Sequence, residues 1–338
     1  MTFTLASLDE LKTLAARLPT ADKDAAAGAR ARQNSLTKPP GSLGRLEEIA
    51  EFMAAWRATA RPEIWQAQAL VFAGNHGICA QGVNPYPQEV TVQMVANFQA
   101  GGAAINQLAR VNGADLDVIA LDLDRPTGDF TQGPAMSAGD CLDALNRGAA
   151  AVNEGADILI LGEMGIGNST VAAALAAASF GGDAAAWVGP GTGSDQAGIA
   201  RKVDAIERGL NLHADAKGNA GAILAALGGR EQAAICGAVL AARAARVPVI
   251  LDGFICTAAA AVLHVADPAL LDHCLVGHAS AEPGHRKLLA AIGKRPVLEF
   301  DMRLGEGSGA ALALGIVRAA LACHNGMATF GEAGVSEA

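Results

Sequence analysis

The chain has 338 residues, half of them apolar but only 4% aromatic, and a formal charge of −9. That length allows one large α/β domain with a smaller appendage. The acidic balance speaks against nucleic acid or an anionic membrane as partner, and any anionic substrate needs a local cationic pocket. The start, MTFTLASLDELKTLAARL, reads as a polar entry into an amphipathic helix rather than a secretion signal. Arg243, Arg246 and Asp252 interrupt the longest apolar run before it reaches membrane-spanning length. Six scattered cysteines in apolar surroundings suit reduced thiols in a cytoplasmic protein.

In chain order, apolar residues at helical spacing predict one helix over 5–18 and another over 44–58. Between them NSLTKPPGSL forces a non-helical connection at Pro39-Pro40-Gly41, with Ser42 placed to cap the second helix. From residue 68 the pattern changes to short apolar runs: AQALVFAGNHG, DLDVIALDLD, ADILILGEMGIGN, AAAWVGPGTG, VPVILDGF, HCLVGHASAE and RPVLEFDMRLGEG. Apolar on both faces and alternating with alanine-rich helical segments, they predict an α/β fold with a parallel sheet flanked by helices on each side. The long helix after Glu306 is expected to leave the sheet and pack with the N-terminal helices. Residues 1–66 and 310–338 would then form a small helical domain, beside an α/β catalytic domain over 67–309.

Ligands in such folds bind beyond the carboxyl ends of the strands, where this chain concentrates His, Asn, Glu, Ser and Gly. GEGSGA (305–310) fits the permissive dinucleotide fingerprint, but Glu306 stands where a pyrophosphate would approach and no acidic strand end follows. A P-loop is absent. VILDGF resembles the ribose-phosphate loop of pyrophosphate-dependent phosphoribosyltransferases, yet has one acid, Asp252, where they have two. The turns GEMGIGN and GPGTG each open a helix and expose backbone N–H groups to an anion. With Lys202 one turn into the second helix and Arg303 before the GEG turn, they suggest a phosphate or carboxylate pocket. Glu306, at the mouth of an apolar helix, has two readings: a capping acid favoured by the helix dipole, or a reactive carboxylate.

Together NSLTKPPGSLGRLEEIA, GVNPYPQEVTVQMVANFQAGGAAINQLAR, GEMGIGNSTVAAAL, GPGTG, VILDGFICTAAA, SAEPGH and LGEGSGAALAL resemble the nicotinate-nucleotide–dimethylbenzimidazole phosphoribosyltransferase family. The resemblance runs in the family's order from about residue 30 to residue 320. It implies transfer of the phosphoribosyl group of nicotinate mononucleotide to 5,6-dimethylbenzimidazole, with inversion at C1′, in cobalamin lower-ligand assembly. It also implies a Rossmann-like parallel sheet, a small helical domain built from both chain ends, and a homodimer, with no metal and no cofactor. Glu306 matches the family's general base. Glu163, Gly165, Gly191, Lys202, Ser280 and Arg303 match its mononucleotide contacts, and Tyr86, Gln88 and Leu304 its benzimidazole contacts. AGNHG carries Asn75 where many members have Asp, so His76 is given no catalytic role.

The chemistry accounts for this set. The nicotinate ring leaves as a neutral pyridine and no pyrophosphate departs, so neither a general acid there nor paired acids with magnesium are needed. What is needed is removal of the benzimidazole N–H proton, which a desolvated carboxylate among glycines can do. Two other functions compete: a non-catalytic mononucleotide-binding module, which has no use for Glu306, and a nicotinamide-dependent dehydrogenase built on the GEG turn.

Overall fold

The computed structural model describes residues 3–336. Six of the seven apolar runs become strands: β1 (Ala67–Ala73), β2 (Ala114–Ala120), β3 (Ile158–Met164), β4 (Val249–Leu251), β5 (Cys274–His278) and β6 (Pro296–Leu298). All pair in parallel, in the order β2-β1-β3-β4-β5-β6. Ala73 of β1 is level with Ala120 and Met164, so the carboxyl ends of the three neighbouring strands form one rim. The chain direction across the sheet reverses between β1 and β3, which is where ligand crevices form in doubly wound sheets.

The helices are α1 (Lys23–Ser35), α2 (Arg45–Arg57), α3 (Glu89–Gln99), α4 (Ala104–Asn112), α5 (Ala138–Ala150), α6 (Asn168–Phe180), α7 (Gln196–Leu212), α8 (Ala220–Leu227), α9 (Arg230–Ala244), α10 (Phe254–Ala266), α11 (Pro283–Ala291), α12 (Ser308–Gly326) and α13 (Phe330–Ala333). Alternate strand residues feed two apolar layers. Leu70, Phe72, Leu159 and Leu161 join α5, α6, α8, α9 and α10 on one face. Ala69, Val71, Ile158, Ile160 and Ile250 join Ile49 and Met53 of α2 and Ala310, Ala311 and Leu314 of α12 on the other. Contrary to expectation, the helix after Glu306 does not leave the sheet: its apolar face lies on the strands and against α2 at once. Arg32 of α1 binds the carbonyls of His324, Asn325 and Met327.

Glycine permits the tightest approaches. A Cβ on Gly148 of α5 would collide with the Ala234 carbonyl of α9, and one on Gly237 of α9 with the Leu145 carbonyl. Backbone therefore meets backbone there, as aromatic-poor, alanine-rich helices allow.

Three local expectations are corrected. AAAWVGPGTG is not a strand: residues 184–186 form a single 3-10 turn, and β3 pairs directly with β4. Trp187 is fully buried, with its indole N–H donating to the Gly181 carbonyl, and Pro190 has no N–H to offer a ladder. Ser42 does not cap α2. Gly44 precedes that helix without a side-chain cap, while Glu47 accepts the Leu43 N–H at 2.9 Å and the Lys38 ammonium at 2.8 Å. The stretch 5–18 forms a 3-10 helix over Leu8–Arg17, and α1 follows it unforeseen. No helix among the described residues is long and apolar enough to cross a membrane.

Candidate active site

The strand ends meet around Glu306. Gly305 (φ 85°), Glu306 (φ 65°) and Gly307 (φ 83°) are three consecutive residues in the left-handed region, which costs a non-glycine residue about 1 kcal/mol. This turn delivers the chain into α12. Asp252, leaving β4, caps that helix: its Oδ2 accepts the Gly307 N–H at 3.1 Å and its Oδ1 the Ala310 N–H at 2.9 Å. Glu306 is therefore not the cap. It is buried, and its Oε2 has no hydrogen-bond partner. Burial first, and the Asp252 charge second, push its carboxyl up to about 7.

Glu163, on β3, faces the same turn, because a Cβ on Gly305 would stand 2.6 Å from Glu163 Oε1. Burial, then the charges of Asp252 and Glu231, raise its carboxyl to about 8, against an opposing hydrogen bond from the Asn168 amide. A narrow cleft of about 30 Å³ is lined by Glu163, Ser280, Arg303, Leu304 and Gly305, together with Phe254, His278 and Glu282. Four residues expected from the sequence thus share one wall. Glu306 sits behind Gly305.

The cationic side lies next to it. Lys202 is buried on α7, where its ammonium donates to the Gly189 carbonyl at 3.1 Å and to Ser169 Oγ at 3.3 Å. Burial lowers its pKa, with the Glu282 charge opposing. Arg303 donates to the Gly191 carbonyl at 2.8 Å, so Lys202 and Arg303 grip the GPGTG turn from two sides. The Gly191 N–H, which an anion could have used, donates to Glu282 Oε1 at 3.0 Å. Glu282, missed by sequence reasoning, is raised by burial while that bond, Lys202 and Arg303 pull it down. Only its proximity to Ser280 within SAEPGH could have signalled it.

Gly165 is a contact point: a Cβ there would come 2.6 Å from the Gly74 carbonyl and 2.9 Å from His76 Nε2. Behind it His76 Nε2 lies 3.0 Å from Glu231 Oε1, both side chains fully buried but not aligned as a hydrogen bond. The loop with Tyr86 runs over the same region. Gln88 donates its amide to the His76 carbonyl, and Asn84 donates to the Tyr86 carbonyl at 2.5 Å. Tyr86 and Leu304 are 50% and 57% exposed, so both offer apolar surface to an incoming ring. The six cysteines are free, and four of them are buried.

The dinucleotide reading loses its physical basis here. The amides of Gly307 and Ala310 that would meet a pyrophosphate already serve Asp252, and α12 leads to no further strand among the described residues.

Comparison with known proteins shows the family and the fold. A phosphoribosyltransferase family model, DBI_PRT, matches residues 18–335. The nicotinate-nucleotide–dimethylbenzimidazole phosphoribosyltransferase of Rhodobacter capsulatus is 69% identical over 98% of this chain and 99% of its own length. That of Novosphingobium aromaticivorans is 61% identical over 98% of both. The crystal structure of CobT from Thermus thermophilus superposes with a TM-score of 0.87 at 42% identity, covering 93% of this chain and all of that one.

Proposed function

Since the chain belongs to the nicotinate-nucleotide–dimethylbenzimidazole phosphoribosyltransferase family, we propose that it moves the 5-phosphoribosyl group of nicotinate mononucleotide onto 5,6-dimethylbenzimidazole. The products are nicotinate and α-ribazole 5′-phosphate, formed with inversion at C1′, for cobalamin lower-ligand assembly. The observation that carries this reading is Glu306: a buried carboxyl without a partner, held near neutrality, on a turn whose helix is capped by another residue. A general base works best when its pKa lies near the working pH.

In this reading Glu306 takes the N–H proton of the benzimidazole while the other ring nitrogen attacks C1′ and the bond from C1′ to the nicotinate nitrogen breaks. The electron pair of that bond stays on the departing ring, which leaves neutral without a proton donor. Proton removal is worth roughly 10²–10⁴ in rate, and holding the two rings on opposite faces of C1′ supplies more. Lys202 and Arg303, with the GPGTG turn they hold, are the cationic group for the phosphate. Ser280, Gly165 and Glu163 line the ribose and nicotinate side, and Tyr86, Gln88 and Leu304 the benzimidazole side.

Nicotinate release, followed by ultraviolet absorbance with mononucleotide and base together and each alone, tests the activity. Only a transferase consumes mononucleotide, and only when base is added. Proton coupling at C1′ of the product reports the anomer, and a β-riboside would refute inversion. The homodimer implied by the resemblance belongs to the same proposal and is tested by sedimentation.

A further inference from the structure

The acid at the end of β4 is left over by the reaction as described. Asp252 is fully buried, and β4 ends after three residues where it leaves the sheet. Its carboxylate takes backbone N–H groups from both sides of the first turn of α12. Beyond it the His278 ring fills the space that side chains at Gly253 and Gly309 would need, and His278 Nε2 stands 3.6 Å from Asp252 Oδ1. No other side chain bonds the amides of the Gly305–Gly307 turn among the described residues.

We infer that Asp252 is the positioning residue of Glu306: it seats the left-handed turn that carries the carboxylate and places a second acid beside it. The inference rests on the base role proposed for Glu306. A purely structural cap would need only a hydrogen-bond acceptor, whereas a positioning acid also sets where its neighbour titrates. The titratable groups facing Glu306 are Asp252 and, across Gly305, Glu163 of β3. Those facing Asp252 are His278 of β5, Glu163, Glu306 and the Cys256 thiol of α10.

The test compares the full chain with Asp252→Asn and Asp252→Ala. Asparagine keeps one acceptor and removes the charge; alanine removes both. In Asp252→Asn, kcat should fall roughly tenfold to a hundredfold through misplacement of the carboxylate, and KM for nicotinate mononucleotide should stay within about twofold. The acid limb of kcat against pH should move lower, since the acid that adds to the effect of burial on Glu306 is gone. Asp252→Ala should add a loss of melting temperature. If alanine does not fold, asparagine alone decides. Wild-type kcat with an unmoved acid limb in Asp252→Asn would overturn the inference. A carbon-13 titration of the Glu306 carboxyl, identified by its disappearance in Glu306→Gln, separates the two ideas. A titration that stays in place in Asp252→Asn sinks the role of Asp252 whatever the turnover. One that moves, while Glu306→Gln keeps full turnover, removes the base reading and leaves the hold of Asp252 on the carboxyl standing.

Discussion

Glu306→Gln should slow turnover and stabilise the fold, the second effect growing with pH. Glu306 titrates near 4.5 when unfolded and is pushed up to about 7 in the fold, chiefly by burial. Between those values the folded chain holds a proton that the unfolded chain has released. Stability is therefore lost as pH rises through that window and levels off above the folded value. The full shift corresponds to about 3 kcal/mol at 1.36 per unit. Only Oε2 is sealed without a partner, and water screening the rest of the carboxyl leaves roughly 1–2 kcal/mol between pH 5 and pH 8.5. Unfolding entropy of about 2.1 cal/mol/K per residue over 338 residues gives about 0.7 kcal/mol/K. The melting temperature of Glu306→Gln should thus gain about 2 °C on the wild type from the lower pH to the higher. Glutamine cannot take the proton, so kcat should fall by roughly 10²–10⁴, while wild-type kcat should be lost as pH falls through about 7. Scanning calorimetry at the two pH values and a steady-state pH profile check both statements. A melting difference that does not change with pH would show a Glu306 that titrates like any surface acid, and the argument for a base near neutrality would fail.

Lys202→Ala should weaken nicotinate mononucleotide binding by roughly 1.5–3 kcal/mol, the range for a bond to a charged group. By calorimetry, dimethylbenzimidazole alone should bind as before; an equal loss for both ligands would refute a phosphate role. Tyr86→Ala should lower kcat/KM for dimethylbenzimidazole about tenfold at most, the worth of one aromatic contact, and leave KM for the mononucleotide unmoved. Unaltered handling of every base would reduce the loop to a turn. Gly148→Ala should cost roughly 1–3 kcal/mol through overpacking against the Ala234 carbonyl, seen as a lower melting temperature with unchanged kinetics at 25 °C.

The strands were legible because a buried parallel sheet writes itself as unbroken apolar runs, and β1, with every residue buried, is the plainest case. The run around Trp187 imitates that pattern for another reason, since three alanines and a tryptophan are also what a buried turn needs. Helix α1 leaves no apolar stripe in the sequence, because only Ala29 and Gln33 of its residues are buried. Within the site, Glu306 stands out as a lone carboxylate between two glycines, and Lys202 and Arg303 by their places near glycine-rich turns. The roles of Glu282 and Asp252 are not readable there, because their work is done on the backbone of distant segments, the Gly191 and Gly307 amides, 91 and 55 positions away. A bond of that kind leaves no spacing to read.

The left-handed backbone of Glu306 also bears on how such a chain would change over generations. Glycine at that position would relax the turn and remove a buried acid, so mutation toward it is downhill for folding. On the proposed base role, nothing in the architecture defends the carboxylate except a continuing demand for its chemistry. A gene copy freed from that demand should shed Glu306 early while conserving Gly148, Gly237 and the sheet, and a chain with this fold but glycine at 306 would mark a lineage that has left the reaction behind.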